Sequence, residues 1–240
     1  MATYKTSGII IKRTNLREAD RILTIYTQEH GKIRAVAKGV RKTLSKLAGN
    51  LELFCLDKLL IAEGRNLDII AEVENIKCYF SLRSNLRATH MAYYLAEIVD
   101  QMTLENQSHP SIFDLLEQVL EGLSSQANRL LIPFFEINFL SESGFKPELY
   151  ECLHCEKKII AQKNYFSFSS GGLVCGVCQA NDQLISNQAI KVLRLFLKNK
   201  AKIVNKISLE NKLIKEVEEL TSNYLKYFHQ KEFNARRFIK

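Results

Sequence analysis

Asp20–Lys46, DRILTIYTQEHGKIRAVAKGVRKTLSK, decides how the rest of the chain is read. Ile22, Thr24 and Tyr26 alternate with Leu23, Ile25 and Thr27. Beyond His30-Gly31, Ile33, Ala35 and Ala37 alternate with Arg34, Val36 and Lys38. A period of two on both sides of a glycine turn predicts a β-hairpin. The second strand runs into a cationic stretch: Lys32, Arg34, Lys38, Arg41, Lys42 and Lys46 fall between Gly31 and Leu51 with no Asp or Glu among them. Charge of one sign along a strand edge attracts a polyanion. A solvated face beside a loop is the plainer alternative.

Working outward, Thr6–Lys12 reads as a strand before the hairpin, with a polar turn over Thr14–Asp20. Val40–Asn50 reads as a basic linker. Leu53–Glu63 and Leu67–Val73, joined around Gly64-Arg65-Asn66, read as a fourth and a fifth strand. Five short strands with a long third connection suit a small barrel, and the oligonucleotide-binding (OB) barrel is the first candidate; an SH3-like barrel uses the same number of strands. After Phe80 the period becomes helical: Leu82, Leu86, Met91, Leu95, Ile98 and Met102 recur on one face. Further helices are expected over His109–Ser125, Asn128–Ser143, Ser186–Lys200 and Leu209–Gln230. Pro133 either kinks the third of these five helices or marks its true start. The fold class is therefore α+β and multidomain: a barrel domain over residues 1–80, then a helical domain over 81–240.

The net charge of +8 is uneven: +5 over residues 1–80, −5 over 81–150, +1 over 151–180 and +7 over 181–240. Basic ends around an acidic middle argue for a nucleic-acid partner at the ends. No apolar run is long enough to span a bilayer, and no leader of the secretory kind is visible, so the expected location is the cytoplasm. There the six cysteines point to metal or burial rather than to disulfides.

Cys152-Leu153-His154-Cys155 and Cys175-Gly176-Val177-Cys178 make two C-x2-C knuckles within an element over residues 149–180. Residues 165–169 alternate and Gly171-Gly172 turns, so a hairpin can bring the second pair back to the first. Four thiolates form a closed tetrahedral site for one structural Zn2+. A catalytic zinc keeps one position open, and four cysteines leave none. Cys55 and Cys78 read as isolated thiols. Nucleotide-binding glycine loops, a nucleophile elbow and a His-Glu-x-x-His helix are all missing, so no enzyme is expected.

The N-terminal pattern GIIIKRTNLREADRILTIYTQEHGKIRAVAKGVRK, above all Glu18–Thr24, His30-Gly31-Lys32 and Ala37–Lys42, followed by a second barrel half, helices and the two knuckles, resembles the RecO family of bacterial recombination mediators in its zinc-bearing subtype. The resemblance covers essentially the whole chain. It implies an OB domain and a helical domain holding the zinc. It further implies binding of single- and double-stranded DNA, annealing without ATP, and help in loading recombinase on strands coated with single-strand-binding protein, in the RecF pathway. Implied partners are RecR and the acidic tail of single-strand-binding protein; the implied place is the bacterial nucleoid. Lys32, Arg34, Lys38, Arg41, Lys42 and Lys46 are the candidate phosphate contacts. Tyr26 and Phe54 are candidate stacking platforms or core residues. Arg129 beside Leu130, Phe134 and Phe135 is the candidate seat for the acidic tail. A zinc-containing OB-fold transcription or RNA-binding module is the alternative reading.

Overall fold

A computed structural model describes the chain except at positions 1, 44, 46, 48 and 240. Its contacts divide it into two compact units: Met1–Ala127 with Phe233–Lys240, and Asn128–Glu232. The helices that follow the barrel fall in the first of these compact units.

The first unit opens with β1 (Thr3–Leu16), β2 (Asp20–Thr27), β3 (Gly31–Ala37), β4 (Cys55–Ala62) and β5 (Asp68–Cys78). They close a barrel in the order β1-β2-β3-β5-β4, with β3 and β5 parallel and the other neighbours antiparallel. β1 is longer than expected and runs through polar Thr14 and Asn15, because each of these residues has a partner on β2. The barrel is filled by Ile10, Leu23, Ile25, Ile33, Ala35, Ala37, Leu59, Ile61 and Ile70. These are the inward positions of the period-two pattern, packed as in other small barrels.

Strand β2 is buried on both faces over Leu23–Thr27. The helical part of the same unit is α1 (Phe80–Ser84), α2 (Leu86–Met102) and α3 (Pro110–Ser125), with α2 packed on β1. One helix was expected over Leu82–Met102; Asn85 breaks it by leaving helical dihedrals and capping α2, its side chain accepting from Ala88 N at 3.1 Å. The hairpin turn is locked to this layer. Gly31 has φ +67, and a Cβ there would lie 1.9 Å from the carbonyl oxygen of Gln107. Only glycine fits both demands.

Cys55 and Cys78 correct one expectation. They face each other across β4 and β5 with Cα atoms 4.3 Å apart and are joined as a disulfide. They lie 23 positions apart in sequence, and only the register of the two strands brings them together.

In the second unit α4 (Leu131–Glu142) is apolar nearly all round and buried from Leu131 to Ile137. Pro133 lies in its first turn, so it marks the start rather than a kink. The three strands β6 (Asn164–Ser167), β7 (Gly172–Cys175) and β8 (Gln183–Ile185) form a small sheet in the order β7-β6-β8. Then come α5 (Asn187–Lys198), α6 (Ala201–Val204) and α7 (Asn211–His229). Ser186 caps α5, accepting from Ala189 N at 3.1 Å. α7 packs Val217, Leu220 and Tyr224 inward, and Tyr224 meets Phe166 of β6 edge-on at 5.0 Å. No helix among the described residues is long and apolar enough to cross a membrane.

Candidate nucleic-acid interface and metal centre

The cationic stretch does not act as one set. Lys32 is buried, as is its cross-strand neighbour Tyr26. Its ammonium donates to the carbonyl of Asp100 and, at 2.7 Å, to that of Thr103, with the Asp100 carboxylate 3.7 Å away. Lys32 therefore pins the barrel to α2 and has nothing left for a phosphate. Arg34, Lys38, Arg41 and Lys42 are exposed. None of them forms an ion pair among the described residues. Lys46 lies outside the described residues.

The turn between β1 and β2 holds the loop that carries these cations. Asp20 Oδ1 accepts from Gly39 N at 2.7 Å, the carbonyl of Ala19 accepts from Arg41 N at 2.9 Å, and that of Arg17 accepts from the Arg41 guanidinium at 3.1 Å. Three short bonds give Lys38–Lys42 a fixed base, so their charges face outward without a long search. The sequence reading missed this role of Asp20 and Arg17; the sole signal was that Asp20 lies in the Glu18–Thr24 pattern and Arg17 directly precedes it.

Tyr26 and Phe54 resolve as core residues, 0% and 5% exposed. Burial pushes the Tyr26 hydroxyl up to about 12. The apolar groove expected beside Arg129 is not formed: Leu130, Phe134 and Phe135 are buried in the second unit, and Arg129 is paired through two nitrogens with Glu218. The pattern at residues 129–135 is that of a buried helix entering from a capped turn, which Asn128 supplies by accepting from Leu130 N at 3.0 Å.

Cys152, Cys155, Cys175 and Cys178 come together with all four sulfurs within 4.8 Å of one another. Antiparallel pairing of Asn164 with Cys175 returns the second knuckle to the first, and Leu153 N donates to Leu173 O at 3.0 Å to tie the two. The sulfurs of Cys155 and Cys175 are 3.9 Å apart; tetrahedral Zn–S bonds of about 2.3 Å put sulfurs about 3.8 Å apart. The donor set and spacing fit a metal ion, and His154, exposed between the first two ligands, stays out of it. Burial pushes the Cys152 thiol up, but the backbone N–H groups of Cys175, Cys155 and His154 outweigh it and hold the group down at about 6. Backbone N–H groups of Cys178 and Val177 lower Cys175. Cys178, facing the sulfurs of Cys175 and Cys155, is pushed up to about 12. A cluster that favours its first thiolates and resists its last suits a divalent cation, which removes that resistance.

With this geometry in view, the comparisons are direct. Residues 1–79 match the family model for the N-terminal part of recombination protein O and residues 83–237 the model for its C-terminal part. The chain belongs to the RecO family. A DNA repair protein RecO of Dehalococcoides mccartyi is 38% identical over 236 residues, covering 97% of this chain and 93% of that protein. The namesake of a Roseiflexus species is 34% identical over 98% of this chain and 84% of its own length. That of Pelotomaculum thermopropionicum is 30% identical over 100% and 94%. The family places the chain in DNA repair and recombination.

Proposed function

We propose that this chain is a non-enzymatic mediator of DNA repair and recombination. Its closed barrel works as an OB fold that binds single- and double-stranded DNA. It anneals complementary strands without ATP and helps load recombinase onto strands coated with single-strand-binding protein, in the RecF pathway of the bacterial nucleoid. RecR and the acidic tail of single-strand-binding protein are its protein partners. One Zn2+ held by Cys152, Cys155, Cys175 and Cys178 is structural.

One observation carries the reading: Arg34 on β3, and Lys38, Arg41 and Lys42 on a loop that three hydrogen bonds fasten, stand exposed and without carboxylate partners among the described residues. Annealing needs the repulsion between two polyanions reduced while the bases remain exchangeable. Cations on a fixed base supply the first, and phosphate contacts that read no sequence permit the second. The test mixes complementary labelled strands, one coated with single-strand-binding protein, without nucleotide. Duplex is expected to form faster with the protein than without it. No acceleration on bare or coated strands would refute the proposal.

A further inference from the structure

Outside the barrel, the first unit holds a cleft of about 760 Å³, within the roughly 300–1,000 Å³ range of small-ligand sites. Its floor is α2. One wall is the far end of β1 with Arg21 of β2. The opposite wall is the C-terminal segment, Asn234–Phe238. That segment is strapped to α2: Glu97 accepts from Asn234 N at 2.9 Å and from Ala235 N at 2.7 Å, while Arg236 donates to the Tyr94 hydroxyl at 2.9 Å. The strap brings the Phe238 ring to the cleft beside His90, at 5.6 Å between ring centres, and leaves it 54% exposed. Tyr93 lines the same space and is 44% exposed.

The two ends of the cleft differ in chemistry. At the barrel end Arg21 meets no carboxylate among the described residues. Over the α2 floor lie the aromatic rings with Glu97, whose carboxylate is bonded to the strap, while Asp100 is paired with Lys12 of β1 on the barrel side. An acidic peptide lying along the cleft would meet those carboxylates. A nucleotide would not: its phosphate belongs at the cationic end, and its neutral, flat base at the aromatic end. The cleft is also continuous with the basic loop, since Arg21 is paired across the strands with Ala37, the residue before Lys38, and the adjoining Asp20 holds Gly39.

The geometry points to a nucleobase site: an unstacked base of the strand held by the basic loop enters this cleft and stacks on Phe238, with Arg21 on its phosphate. The inference rests on the DNA-binding reading above and adds to it a base contact that duplex DNA cannot make. A strand held open at one base is kept from folding on itself while the next bases stay free to pair.

The test uses the full chain and a single strand carrying 2-aminopurine, compared with a blunt duplex of the same sequence. Stacking on one aromatic ring is worth enough that its loss weakens binding about 5- to 150-fold. Phe238→Leu keeps apolar volume and should lose the fluorescence change, weaken single-strand binding within that range, and leave both the salt slope and duplex binding as they were. Phe238→Trp should restore the signal. Wild-type behaviour of Phe238→Leu, an equal loss on duplex, or dependence of an acidic peptide rather than the strand on Phe238 would overturn the inference while the salt-dependent DNA reading stands. A wild-type protein whose binding ignores salt would remove both.

Discussion

Replacing Lys38, Arg41 and Lys42 together by alanine gives the sharpest test of the interface. The cationic stretch offers six charges in the sequence, but the structure withdraws Lys32 into bonds with Asp100 and Thr103, and the described exposed set is Arg34, Lys38, Arg41 and Lys42. Each neutralised phosphate of a single strand contributes about −0.7 to the slope of log K against log salt, so these residues predict about −3 for the wild type. That slope corresponds to an affinity loss of about 60-fold between 50 and 200 mM salt. The triple variant should fall to about −1, with its affinity at low salt reduced by a similar order. Lys32→Met is the matched control. It should leave the slope unchanged yet lower stability by about 1–3 kcal/mol, because it strands two buried carbonyls. Fluorescence anisotropy across a salt series, with urea unfolding of each variant, measures both quantities. A triple variant with the wild-type slope, or a Lys32 variant with a shallower one, would refute the assignment of charges to these positions.

Three further outcomes follow from features elsewhere in the chain. Cys175→Ser, or a strong chelator, should expose residues 150–180 to protease while the N-terminal barrel persists, since structural zinc sites carry about 10–16 kcal/mol of apparent binding energy; unchanged proteolysis would refute a structural metal. Asp57 is wholly buried with Asn75 donating to it at 2.7 Å, and burial raises its carboxyl from the ordinary 3.8 to about 7. A raised folded-state value means that its contribution is fully present below pH about 4 and is lost as the pH rises to about 7, at a cost of up to about 4 kcal/mol. The urea midpoint of the wild type should therefore fall between pH 5 and 8 more than that of Asp57→Asn, and parallel falls would refute the burial argument. Thiol titration of metal-stripped, denatured, unreduced protein should count four reactive cysteines of the six; a count of six would show that Cys55 and Cys78 are not joined.

What was legible in the sequence was what local chemistry decides. The alternation around His30-Gly31 gave the hairpin, and two C-x2-C pairs with a turn between them gave the four-sulfur cluster. What was not legible depended on distant partners. Lys32 looks like the other lysines of its run until Asp100 and Thr103 arrive from about seventy residues away. Cys55 and Cys78 look isolated until the β4–β5 register is known. Arg129 beside Leu130, Phe134 and Phe135 looks like a cation next to a groove, and only the fit of α4 under its neighbours turns those side chains inward. The strap at Asn234–Phe238 left the faintest trace, a short basic tail whose anchoring acid, Glu97, sits on a helix read for its apolar face.

That strap carries a consequence for how the molecule is made. Residues 128–232 lie between the two pieces of the first unit, the second of which is Phe233–Lys240. Synthesis therefore delivers all of the second unit before the piece that covers α2. The barrel must wait with one side of α2 bare, and a released chain truncated after residue 232 should hold its second unit folded and its first one unfinished.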